Sequence, residues 1–319
     1  MVINISILKW SIVCIRYLGL QDRKVSLLLL ATTNIKINNM GLFPETGESQ
    51  AMLLYHYIPS FAFAIVGMSV YAVFGIILTI QIYYTRSPKY LYILPFTALM
   101  EVVGYAVRLA CHYYTNLGRY IGTTLFLLLA PNALALVNYK SVGEIIRLSG
   151  KNSRFFFMRQ KFVTWFFFAS DILSFCLQGA GGGLQSTLNY RNEGIAVTLV
   201  GLALQLVFFA SFAGITIYIH RNNEYAYEVP GRKNPKNSMI RCLYITIFFL
   251  YIRSIYRVAE YASGYGGPIA RLEWAFYVFD CLAIGICFIG YIVLFIGRDL
   301  PKRDSDQSTQ YSPSITEKY

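Results

Sequence analysis

Apolar positions along this chain gather into long unbroken runs instead of alternating with polar ones. A helix needs about 20 predominantly apolar residues to cross roughly 30 Å of hydrocarbon. Seven stretches reach that length: 61–82, 90–110, 120–139, 162–183, 195–219, 240–259 and 272–296. The first, third and fifth contain no charged residue, and the other four carry a few. The pattern predicts an all-α polytopic membrane protein with seven transmembrane helices over residues 61–296. Residues 40–60 form a short segment ahead of the first span. Residues 297–319, rich in Asp, Ser, Gln and Lys, read as a flexible tail. Residues 1–39 read as an N-terminal extension: the apolar stretch 2–20 is broken by Lys9 and Arg16, and 25–31 is too short to span. A basic stretch before a short apolar one loosely resembles a signal peptide. The simpler expectation is that Met40 is the working start and the extension lies outside the mature domain.

Charge then orients the bundle. The net charge is +12, but the basic residues form no single stripe. Seventeen Lys and Arg fall in the loops after the first, third and fifth spans and in the tail, against three in the opposite loops. Basic residues concentrate on the cytoplasmic side of membrane proteins. The split therefore predicts an N-terminus outside and a cytoplasmic C-terminus. Trp165 and Trp274, near opposite ends of their spans, fit interfacial aromatic belts.

Composition narrows the function classes. Hydrophobic residues make up 56% of the chain and charged residues 14%, with a mean hydropathy of +0.48. A disordered chain is excluded by this composition, a conventional soluble enzyme is disfavoured, and nucleic acid is not the expected partner. A membrane zinc hydrolase needs about three ligands converging on one ion. The three histidines, His56, His112 and His220, fall at opposite ends of the predicted spans. No span has an interior Lys for a Schiff base, no P-loop is present, and Gly264-Tyr265-Gly266-Gly267 is a loop cluster and not a nucleotide fingerprint. No metal, cofactor or enzymatic activity is expected. The six cysteines contain no CxxC and read as free thiols. The sequon Asn4-Ile5-Ser6 matters only if the extension is retained and outside. No internal repeat is evident.

The informative residues are the ionisable ones inside the spans: Glu101, Arg108, Asp171, Arg253, Arg257, Glu260, Glu273 and Asp280. A charge at the centre of a membrane helix costs about 2.5–3.5 kcal/mol on insertion scales, so such groups pair or line a polar cavity. Glu101 and Arg108 are seven residues apart and share a helix face. Arg253, Arg257 and Glu260 fall at i, i+4 and i+7, Glu273 and Asp280 repeat the seven-residue spacing, and Asp171 with Gln178 supplies a fourth polar stripe. Three readings stand: an ion-pair network that fixes packing, a polar cavity that accepts a head group, and a proton relay. Gly179 and Gly183 form a GxxxG pair, which predicts close helix packing or a weakened helix end at a cavity mouth. Pro95 and Pro131 predict kinks.

Glu101-Val-Val-Gly104-Tyr105-Ala-Val-Arg108 resembles the ExxGYxxR signature of the fungal lipid-translocating exporter family, which includes sphingoid-base exporters, aminocholesterol-resistance proteins and a porphyrin transporter. Tyr57 to Ser60, Leu129 to Pro131 with Tyr139, Asp171 to Phe175 with Gln178, Arg253 to Glu260, and Glu273 through Tyr277 to Asp280 are similar to it in order and placement. The resemblance runs from about Tyr57 to Leu300 and leaves residues 1–39 without a counterpart. It implies a seven-span plasma-membrane protein that exports or flips an amphipathic lipid such as a sphingoid long-chain base, with a role in resistance to toxic lipids or drugs. The candidate substrate or translocation residues are Glu101, Tyr105, Arg108, Asp171, Gln178, Arg253, Arg257, Glu260, Glu273 and Asp280. Five acids facing three bases would suit an ammonium head group. The competing class is a seven-helix receptor or regulator that senses lipids and controls other flippases.

Overall fold

The computed structural model describes residues 55, 59–150, 159–185, 190–229, 234–264, 267, 269 and 271–301. The expectations for residues 1–39, for residues 302–319 of the tail, for the sequon, Cys14 and His56 lie outside these; the first tail residues are packed and not flexible coil, since Gly297, Asp299 and Leu300 are buried. Among the described residues, seven helices are long and apolar enough to cross a membrane. They are α1 (Phe61–Thr85), α2 (Ile93–Tyr113), α3 (Leu117–Leu148), α4 (Gln160–Gln185), α5 (Arg191–Arg221), α6 (Pro235–Ala262) and α7. The last is composite: a turn of α-helix at Glu273–Phe276, a π-helical stretch at Tyr277–Leu282, and α-helix again at Ala283–Val293.

Five of the helices, α1 and α3 to α6, overrun the apolar runs that predict them, α2 is shifted along its run, and α7 stays within its own. Hydropathy marks the hydrocarbon thickness, whereas backbone hydrogen bonding carries a helix onward until a stop signal. Thus α3 continues through Lys140 to Leu148, and Gly150 with φ 65 follows its end. The start of α6 is set by Pro235 in its first turn, where the missing N–H costs nothing. Asn116 caps α3 by accepting a hydrogen bond from the Arg119 N–H at 2.8 Å.

In the bundle α1 packs on α2 and α7, α2 on α3, α3 on α4 and α6, α4 on α5, α5 on α6, and α6 on α7. Of the apolar centre of α1, 22% is buried, against 56% for α7, so α1 lies at the periphery and α7 within. Val66, Val73 and Ile76 on α1, Val207 on α5, Phe248 on α6 and Ile289 on α7 face outward, as lipid-facing residues do. Trp165 and Trp274 are also on the outside of the bundle. Cys111, Cys176, Cys242, Cys281 and Cys287 are free thiols.

Two local expectations need correction. A Cβ at Gly179 or Gly183 would meet nothing within 4 Å, so the GxxxG pair is not the packing surface. The contact is made by Gly181, where a Cβ would collide with Thr198 and with the Gly194 carbonyl, and by Gly201, where it would lie 2.9 Å from the Ser174 carbonyl. Spacing identifies a small-residue face, but only the rotation of α4 against α5 decides which glycine is on it. The second correction is Pro95: it sits in the first turn of α2, where no intrahelical bond is lost, whereas Pro131 lies inside α3.

Candidate functional site

The Glu101–Arg108 motif turns its informative side chains into the bundle. Glu101, Gly104, Tyr105 and Arg108 all lie on the buried face of α2. A Cβ on Gly104 would stand 2.8 Å from a Leu127 methyl, so only glycine lets α2 and α3 approach this closely. Tyr105 fills the space between α1 and α7. Its ring lies against Gly67, stacks on Tyr71 at 5.7 Å between centroids, and stacks on Tyr277 at 6.3 Å. Arg108 ends the stripe in an aromatic setting, with its guanidinium carbon 4.5 Å from the Phe276 ring centre and 5.4 Å from those of Tyr55 and Tyr277. Such contacts stabilise a cation most where water is absent. Arg108 donates hydrogen bonds to the Tyr277 hydroxyl at 3.1 Å and to Glu273 Oε1 at 3.4 Å. The same Glu273 oxygen accepts the Ser60 backbone N–H at 2.8 Å, which ties the start of α1 to α7.

The centre of the site is Asp280. It lies in the π-helical stretch of α7, is 1% exposed, and forms ion pairs with Arg253 (Nε to Oδ1, 2.6 Å) and Arg257 (to Oδ2, 3.1 Å), both on α6. Arg257 also pairs with Glu260 at 3.1 Å. Arg253 makes a second contact: its terminal nitrogen donates to the Leu127 carbonyl at 3.2 Å. Leu127 is four residues before Pro131, so its carbonyl is the one the proline leaves without an intrahelical donor. One guanidinium therefore satisfies the break in α3 and holds the carboxylate of the π stretch. The π stretch has a further clamp, since the Tyr71 hydroxyl of α1 donates to the Cys281 carbonyl at 2.6 Å. Irregular helical turns of this kind occur frequently at functional positions.

Glu101 differs from every other acid of the cluster. It is 0% exposed, and neither carboxyl oxygen has a hydrogen-bond partner. Arg253 and Arg257 act on it electrostatically from α6 and Asp280 from α7, but those three side chains are already committed to one another.

Asp171 and Gln178 belong to a separate polar group on α4. Asp171 Oδ2 accepts the Tyr139 hydroxyl at 2.8 Å. The Gln178 side-chain amide donates to Gln205 Oε1 at 2.9 Å, and the Gln205 amide donates to Asn132 Oδ1 at 2.7 Å. A cavity of about 10 Å³ is lined by Asn132, Asp171, Gln205 and Ser254 together with Arg253, so it joins this group to the arginine cluster. That volume holds about one water molecule. Asn132 and Gln205 went unnoticed in the sequence because neither is charged. Their signal is an amide side chain inside an apolar span: Asn132 with Asn138 in the third, and Gln205 alone in the fifth.

A family model described as RTA1 like protein matches residues 94–303. Among curated relatives, Protein RTM1 of Saccharomyces cerevisiae is 32% identical over 207 residues, covering 62% of this chain and 64% of the relative. Protoporphyrin uptake protein 1 of the same species is 27% identical over 280 residues, covering 76% of this chain and 91% of the relative. Sphingoid long-chain base transporter RSB1, also from that species, is 24% identical over 309 residues, covering 83% of this chain and 80% of the relative. The chain thus spans slightly less than two thirds of the length of RTM1 and of Protein RTA1. No solved structure matches it significantly. The matched span takes in α2 through α7 and every charged residue described above, and the chain belongs to the RTA1-like protein family.

Proposed function

We propose that this protein translocates an amphipathic lipid with a cationic head group across the plasma membrane, a sphingoid long-chain base being the simplest substrate, and so confers resistance to toxic amphiphiles. The observation that carries the reading is a buried cluster, spanning α2, α6 and α7, in which one carboxyl, Glu101, has no partner. An ammonium group brings the donors that this carboxyl lacks, while the lipid tail stays in hydrocarbon. The names of RSB1 and of the probable lipid transporter atnI of Emericella nidulans support the lipid class. The loop charges support an outside N-terminus. Purified protein in liposomes tests the reading: a fluorescent long-chain base should move between leaflets faster than in protein-free vesicles, and equal rates would remove it.

A second reading, a lipid-sensing regulator of other flippases, is favoured by the closed packing, since Arg108, Arg253, Arg257 and Asp280 are buried and engaged with partners. In that case the purified protein binds the base without moving it.

A further inference from the structure

We propose that Glu101 is a proton-carrying site, and that the cationic head group and a proton exchange on its carboxyl, making translocation an electroneutral amine–proton exchange. The inference rests on the translocase reading above and adds its energy source.

Every other acid of the cluster is held by an ion pair: Asp280 by Arg253 and Arg257, Glu260 by Arg257, and Glu273 by Arg108, with the Ser60 N–H donating to Glu273 as well. Glu101 is fully buried with both oxygens unbonded. Its surroundings complete the charge count. The groups that act on it electrostatically are Arg253 and Arg257 from α6, Asp280 and Cys281 from α7, Tyr71 from α1, and Tyr105 on its own helix. The two arginines are balanced by Asp280 and Glu260, so that group is neutral without Glu101. An ionised Glu101 would leave one uncompensated negative charge in a dry interior and no hydrogen bond to hold it. Burial without a partner favours the neutral form of an acid. A bound proton satisfies the charge count, and so does an ammonium head group, which also brings N–H donors to the two open oxygens. Only one of them fits at a time. When the amine arrives the proton leaves to water, and when the amine departs a proton returns to the same oxygen. One positive charge crosses in each direction, so no net charge moves.

The test uses the full chain in liposomes, with a tail-labelled fluorescent long-chain base as probe and a trapped pH dye. A proton gradient should drive the base uphill, the dye should report counterflow of protons, and an imposed potassium diffusion potential should change neither. Glu101→Gln should lose gradient-driven movement and proton counterflow, whereas Glu101→Asp, which keeps the acid, should retain both. Movement of the base by the unaltered protein without proton counterflow, or coupling that survives in Glu101→Gln, overturns the exchange while leaving the translocase intact. If the unaltered protein moves no base, the translocase reading fails, and infrared difference spectra judge the site alone. A protonated-carboxyl band at neutral pH that disappears in Glu101→Gln supports the proton on Glu101. Identical spectra for the two proteins, with Glu101→Gln shown to be folded by size-exclusion chromatography, overturn it.

Discussion

Asp280 and Glu260 both pair with Arg257, yet their removal should cost very different amounts. Asp280 is the shared counter-ion of two buried arginines. Converting it to Asn leaves Arg253 and Arg257 facing one another, and breaking a buried pair by deleting one partner costs about 3–5 kcal/mol. The Glu260 side chain is 20% exposed and pairs within its own helix at i, i+3, and Arg257 keeps Asp280 when Glu260 is neutralised, so partial solvation and the remaining pair offset much of the loss. Thermal denaturation in detergent should therefore show a large loss for Asp280→Asn and a small one for Glu260→Gln; equal losses would mean that Asp280 is not the hub. The charged residues themselves were legible in the sequence, because an Asp or Arg within an apolar run stands out. Their partners were not. The Arg253–Asp280 contact depends on how α6 and α7 are rotated against each other, and the isolation of Glu101 depends on Asp280 already occupying both arginines. The Leu127 carbonyl, a backbone acceptor exposed by Pro131 four residues on, has no side-chain signature to read.

Among the helices, the α4–α5 contact gives the clearest contrast between spacing and geometry. Gly181, Gly194 and Gly201 let the two backbones meet, and Gln185 and Thr198 seal the seam with a 3.0 Å hydrogen bond. A methyl at Gly181 has no room, and overpacking of this kind costs about 1–3 kcal/mol. A methyl at Gly179 enters open space, and alanine is the better helix former by about 1 kcal/mol. Gly181→Ala should lower thermal stability and Gly179→Ala should leave it unchanged or raise it slightly. The reverse order would mean that α4 presents its other face to α5. The same limit explains why the π-helical stretch of α7 was missed. Tyr277–Leu282 contains neither proline nor glycine, and the extra residue per turn is stabilised by contacts from other helices, such as Tyr71 on the Cys281 carbonyl. A sequence pattern registers local breakers well and tertiary clamps poorly.

At the scale of the whole molecule, the number and order of spans were readable because the hydrocarbon imposes a length that no soluble constraint imitates, and seven runs gave seven helices. Orientation rests on a different force. In the sequence, seventeen basic residues fall in the loops and tail on one side of the seven spans and three in the loops on the other. The membrane potential and the anionic cytoplasmic leaflet favour keeping those charges inside, at about 1 kcal/mol per Lys or Arg near the surface. Inverting the bundle would therefore oppose a bias far larger than thermal energy. The helix ends make the prediction testable. Glu228, exposed after α5, and Arg271, exposed before α7, lie on opposite sides of the bundle if each helix crosses once. In a background with the native cysteines replaced, Arg271→Cys should react with a membrane-impermeant maleimide on intact cells. Glu228→Cys should react only after permeabilisation. Labelling of Glu228→Cys on intact cells would reverse the bundle. The open side of any exchange at Glu101 would reverse with it, since the cluster is tied through Arg108 and Glu273 to the end of the bundle at which α1 begins.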